Sequence, residues 1–147
     1  MAMPVSVSKP IVGVDVAKNE LVIYHAEADL LETIANNKAA IKKWLKTLSC
    51  KVAIAIEATN IYHLEFSDLA HEAGCVVYMV GGYELKHYRE SLKIRAKTDA
   101  LDAQLLARYL RKEADELRPW TPPSPLYRHL LSLFRRRAAL VQARVSL

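Results

Sequence analysis

Residues 9–18 read KPIVGVDVAK, a run of apolar and β-branched side chains interrupted by one glycine and one aspartate. A run of this kind fits a strand buried on both faces. Burial on both faces leaves Asp15 without water. A buried carboxylate with no partner costs several kcal/mol, so it must meet donors, a cation or a metal. A frayed strand end reaching solvent fits less well, because the run continues through Val16 and Ala17. Any fold this chain adopts must therefore set the strand inside a sheet and bring donors, a cation or a metal to residue 15.

The following segments supply that sheet. Asn19 offers a tight turn into a second strand at 20–26, and 29–35 gives a third, so the chain opens as an antiparallel meander. From Asn37 the period changes: Ile41, Trp44, Leu45 and Leu48 recur at helical spacing, with lysines on the other side. Residues 51–58 (KVAIAIEA) form a buried strand. Asn60 is placed to cap a helix over 61–73 that Gly74 closes. Residues 75–80 (CVVYMV) form the fifth strand, closed by Gly81 and Gly82, and 83–91 form a short helix. Thr98 caps a helix from 99 to about 116. The segment 119–125 (PWTPPSP) is a rigid connector, and a last helix runs over 126–147. There is no internal repeat.

This order, β-β-β-α-β-α-β-α-α and a final helix, predicts an α/β protein with a mixed five-stranded sheet flanked by helices on both faces. It is the order of the ribonuclease-H-like fold, which by itself implies no function. The expected division is a catalytic domain over 1–118, then a connector and extended, coiled-coil-like helix over 119–147. That helix has no cap and is expected to lead to a further domain absent here.

Composition narrows the class. At 147 residues, 52% hydrophobic and 25% charged, with 4 Gly and 6 Pro, the chain is neither disordered nor of low complexity. A domain this long buries roughly two-thirds of its unfolded surface and needs no disulfide or zinc to fold. Cys50 and Cys75 each precede an apolar β run and read as reduced, half-buried thiols, and no histidine stands at zinc-ligand spacing from a cysteine. No apolar run approaches the ~18 residues of a membrane span. The N-terminus lacks a signal-peptide pattern, so a cytoplasmic location with no membrane partner is expected. The 21 basic and 16 acidic residues leave +5, which favours an anionic partner without naming it.

The chemistry lies in four acids. Alternation puts Asp15 on the strand face of Ile11, Gly13 and Ala17, and Glu57 on that of Ala53 and Ala55. Both project from the small-residue side of their strands, which leaves space above them, and they converge if the strands are neighbours. Asp99 and Asp102, three positions apart, share a helix face with Ala103, Leu106 and Leu110, while Gln104, Arg108, Arg111 and Lys112 take the solvated side. Acids in a first helical turn are commonly there for the dipole alone, but this pair lies in line with the apolar stripe. Four carboxylates together repel, and hard oxygens without His or Cys call for Mg²⁺ or Mn²⁺. An actin-like kinase or ATPase is excluded, since its phosphate loop needs glycines after the first strand and Val16–Glu20 has none. A non-catalytic nucleic-acid-binding scaffold with structural acids stands as the alternative.

GVDVAK (13–18), IEATNIY (56–62) and KTDALDA (97–103), in this order, resemble the N-terminal domain of the DEDD transposases of bacterial insertion sequences, the insertion sequence 110 group that includes the Piv invertase. The likeness runs from Pro10 to Leu147. Asn60 stands where the family often has glycine, a departure that leaves the acids untouched. The resemblance implies a RuvC-like domain whose tetrad Asp15, Glu57, Asp99 and Asp102 binds divalent metal for cleavage and strand transfer of DNA. It also implies a second, C-terminal domain with a serine used in strand exchange, and a structured guide RNA in members that recombine by RNA guidance.

Two basic surfaces suit such partners. Lys86, Arg89, Lys93, Arg95 and Lys97, interleaved with Tyr83 and Tyr88, lead into Asp99; cations there suit a phosphate backbone and tyrosines can stack on bases. The last helix carries Arg128, Arg135, Arg136, Arg137 and Arg144, with a seam of Leu130, Phe134, Ala138, Val141 and Val145. The seam suits a partner helix in a homo-oligomer or the absent domain, and the arginines suit RNA or DNA.

Overall fold

The structure, a computed structural model, describes residues 9–58 and 61–145. Its elements in chain order are β1 (Ile11–Val16), β2 (Glu20–His25), β3 (Leu30–Ala35), α1 (Lys38–Thr47), β4 (Ala53–Glu57), α2 (Leu64–Glu72), β5 (Val76–Val80), α3 (Gly82–Ser91), α4 (Asp99–Glu113) and α5 (Pro125–Val145). The strands form one sheet in the order β3-β2-β1-β4-β5. β1 is therefore central. It pairs antiparallel with β2 and parallel with β4, which pairs parallel with β5. This is the mixed five-stranded sheet that the element order predicts.

Local chemistry sets most boundaries. The Asn37 side chain accepts from the Ala40 amide at 2.8 Å and starts α1, and Thr98 accepts from the Leu101 amide at 3.1 Å and starts α4. Gly74 follows α2 with a φ of 89°, the left-handed geometry that glycine adopts without strain. α2 begins later than expected, after His63; Asn60 lies outside the described residues. α4 ends at Glu113 rather than near 116.

Strand alternation sends side chains into two cores. One face carries Val12, Val14, Ile54 and Ile56 beneath Ile41 and Trp44 of α1 and Phe66 of α2. The other carries Ile11, Ala53 and Ala55 beneath Leu106, Ala107 and Leu110 of α4, with Leu85 and Tyr88 of α3 alongside. The small residues belong to this second face. The space above them is filled by a helix that lies nearly in contact with the sheet.

The connector is less independent than its prolines suggest. The Trp120 amide donates to the Val77 carbonyl at 2.6 Å, and its indole packs on the first core. The chain is thus fastened to β5, an edge strand, before α5 begins. α5 itself buries no residue. It is tethered at its start by Arg128, which donates two hydrogen bonds of 2.6 Å to the Asp68 carboxylate of α2. The thiols differ from expectation: Cys75 is buried and Cys50 exposed, both free, because the turn before β4 leaves residue 50 in solvent. No helix among the described residues is long and apolar enough to cross a membrane.

Candidate metal centre

The parallel ladder of β1 and β4 pairs Val14 with Ile56, so Asp15 and Glu57 stand one step further on, at the carboxyl ends of adjacent strands. That end of a parallel sheet is where open α/β proteins place ligands. Alternation turns both acids to the α4 side. Both are half-buried.

Gly13, two residues before Asp15, explains how α4 reaches them. A Cβ at position 13 would overlap the Ala103 carbonyl oxygen and stand 2.8 Å from the Ala107 amide nitrogen. Only glycine lets the helix backbone lie directly on β1. With the middle of α4 seated there and its first turn fixed by Thr98, Asp99 and Asp102 come over the end of the strand. Asp99 is exposed and Asp102 is 5% exposed. Carboxylate oxygens of Asp15, Asp99 and Asp102 all lie within 4.8 Å of one another. Glu57 stands outside this group of three, yet its charge acts on Asp15.

The electrostatics follow from the crowding. Burial, then the charge of Asp99 and a hydrogen bond with it, then Glu57, push the Asp15 carboxyl up to about 7, against the opposing charge of Lys97. Burial also raises Glu57, with Lys97 and Arg89 pulling the other way. A divalent cation would supply the charge this cluster lacks. The donor set is hard oxygen from strands and a helix turn, without nitrogen or sulfur, and fits Mg²⁺ or Mn²⁺.

The basic residues divide by position. Lys86, Arg95 and Lys97 line a cavity of about 460 Å³ together with Glu57 and Asp102. Lys93 is exposed just past α3, with a φ of 58°. Arg89 is turned inward. Its guanidinium forms an ion pair with Asp102, their side chains 14% and 7% exposed, and donates to the Ala96 carbonyl at 2.9 Å. On α5, Arg135, Arg136 and Arg137 are exposed, whereas Arg128 is engaged with Asp68. Sequence reasoning singled out Arg89 and Arg128 only as nucleic-acid contacts. Their acidic partners lie 13 and 60 positions away, and no local pattern marks them.

Comparison with known proteins places this geometry. Residues 12–147 match the model of a family described as transposase, of the DEDD type named for insertion sequence 110. The chain belongs to this DEDD transposase family. Two pilin gene-inverting proteins, from Moraxella bovis and Moraxella lacunata, are each 31% identical over 138 residues, covering 88% of this chain and 42% of theirs. The chain thus spans about two-fifths of the length of these relatives. Among solved structures, Thermus thermophilus RuvC in complex with a Holliday junction substrate aligns with a TM-score of 0.54 at 15% identity, covering 76% of this chain and 99% of that one. A second Thermus thermophilus RuvC structure aligns with a TM-score of 0.53 at 14% identity, covering 75% and 99%. At that identity the likeness concerns the fold, which is RuvC-like and so ribonuclease-H-like. The motif segments holding Asp15, Glu57, Asp99 and Asp102 all fall within the family match.

Proposed function

We propose that this is the metal-dependent catalytic domain of a DNA transposase or site-specific recombinase, with Asp15, Glu57, Asp99 and Asp102 as ligands for Mg²⁺ or Mn²⁺. The observation that carries the reading is the convergence of Asp15, Asp99 and Asp102 oxygens within 4.8 Å at the end of the central strand. In such a site the bound cation polarises a phosphodiester and orients nucleophile and leaving group. The chain's own groups do the rest. Asp15 and Glu57 hold their places because their strands are locked in the sheet, and Asp99 and Asp102 because α4 is seated on Gly13. Lys86, Arg95 and Lys97 present positive charge along the cavity beside the acids, where a DNA phosphate backbone would run. Arg135, Arg136 and Arg137 on α5 offer a second basic surface to DNA or to a structured guide RNA, and the apolar side of α5 pairs two copies of the chain.

The test is thermal. With Mg²⁺ or Mn²⁺ at a hundredfold excess over its dissociation constant, the domain gains ~2.7 kcal/mol, a rise of about 5–10 °C in melting temperature for a chain of this size. Asp15→Asn and Asp102→Asn lose that rise while remaining folded. A second reading, a nucleic-acid-binding scaffold without chemistry, is favoured by the ion pair of Arg89 with Asp102, which sets one positive charge against one acid without metal. Equal melting temperatures with and without metal, alongside DNA binding that weakens steeply with salt, would establish the scaffold instead.

A further inference from the structure

Among the described residues, Arg89 is the one basic side chain of the cavity that is held against an acid of the three-carboxylate cluster by an ion pair. It leaves α3 near that helix's end, pairs with Asp102, and is steadied by the Ala96 carbonyl at 2.9 Å. The pair is largely shielded, with side chains 14% and 7% exposed. A guanidinium against a carboxylate shielded from water is a strong electrostatic contact. It also conflicts with a divalent cation on the same acid: both claim its oxygens, and their like charges repel across a few ångströms with little water between them.

We infer that Arg89 is a positioning residue that couples metal to nucleic acid: it holds Asp102 as an internal cation until a phosphate in the adjoining cavity draws it away. This rests on the reading of Asp102 as a metal ligand. Arg89 itself lines the cavity with Lys86, Arg95 and Lys97, so once released from Asp102 its guanidinium can meet an anion bound there. The cavity's three other cations stand among the acids Glu57 and Glu90, and a bound phosphate adds an acceptor that outcompetes Asp102 for Arg89. A phosphate oxygen then takes the place of the carboxylate as the guanidinium's partner. Metal then favours phosphate binding, and phosphate favours metal binding by the same factor. The arrangement keeps Asp102 closed to stray cations when no nucleic acid is bound.

The coupling is measured by titrating Mg²⁺ into the protein with and without a saturating fluorescein-labelled DNA duplex. In the wild type, DNA tightens Mg²⁺ binding roughly tenfold, the worth of one charge-assisted contact. Arg89→Gln binds Mg²⁺ roughly tenfold more tightly without DNA and shows no further gain with it, while Arg89→Lys keeps part of the coupling. Arg89→Gln binding Mg²⁺ no tighter than the wild type overturns the inference and leaves the metal centre standing. Absence of Mg²⁺ binding by either protein removes the metal centre and this inference together. Nuclear magnetic resonance of the unaltered protein gives a reading that needs no variant. The Arg89 Nε–H signal, assigned through its backbone, shifts when Mg²⁺ and the duplex are both present, and a signal unmoved at saturation overturns the proposal.

Discussion

Asp15 concentrates the physics of the molecule in one side chain. Its carboxyl is raised from an ordinary 3.8 to about 7, first by burial and then by Asp99 and Glu57. Between those values the folded protein keeps a proton that the unfolded chain has released. Stability without metal is therefore greatest at low pH and declines as pH rises through about 7, then levels. Glu57, raised by burial, adds to the same trend. Melting curves in EDTA from pH 5 to pH 8 should show this fall, and Asp15→Asn should flatten it and raise the metal-free melting temperature near pH 8. A wild-type profile that climbs over this range would mean the cluster carries no excess negative charge. With Mg²⁺ the slope turns the other way, since ligands must be ionised to bind. The need for a counter-charge at Asp15 was legible in the sequence, from one acid in an apolar run. The size of the shift was not, because it depends on Asp99, which is 84 positions away along the chain and adjacent in space.

The seat of α4 on β1 determines whether the acids meet. Its apolar stripe and its Thr98 cap could both be read from local spacing, and so could the face shared by Gly13 and Asp15. The filling of the space above that face by a helix backbone could not, since small side chains announce room and not its occupant. Gly13→Ala tests the seat. The added methyl meets the Ala103 carbonyl and the Ala107 amide, backbone atoms that yield only if the helix moves. Overpacking of this sort costs about 1–3 kcal/mol. The denaturant midpoint should fall by a corresponding amount with an unchanged slope, and the metal-induced rise in melting temperature should shrink because Asp99 and Asp102 are displaced. Full stability with a full metal response in Gly13→Ala would show that α4 does not depend on this contact. The start of α2 shows the opposite limit. His63, not a residue with a capping side chain, precedes it, and no side-chain hydrogen bond caps it. Packing of Phe66 and Leu69 in the first core places that helix, so propensity at its end had little to say.

For the molecule as a whole, the sheet and its helices form one packed body from which α5 extends. Leu130 is 43% exposed, Phe134 63% and Val141 50%, an apolar seam on a helix with no buried residue. If the seam pairs two copies, replacing Leu130 and Phe134 with glutamate should convert an oligomer to a monomer in sedimentation equilibrium. The melting of the sheet domain should change little, since both side chains are exposed. Identical masses for the parent and the double variant would remove the homo-oligomer through this helix. Arg128→Ala, by contrast, frees the root of α5 from Asp68 at a stability cost of under about 1 kcal/mol, because the pair is partly exposed.

The order of strands and helices, the burial of the IVGVDV strand, the cap at Thr98 and the strand and helix faces that carry the four acids all rest on patterns within a few residues or on fixed periodicity. Burial and hydrogen bonding act locally enough to write those patterns into the chain. Which cation answers which acid was decided only in three dimensions. Arg89 with Asp102, Lys97 beside Asp15 and Glu57, and Arg128 with Asp68 are meetings of groups brought together by packing. Electrostatic partnership depends on distance through space and on exclusion of water, and neither quantity exists until the helices have settled on the sheet.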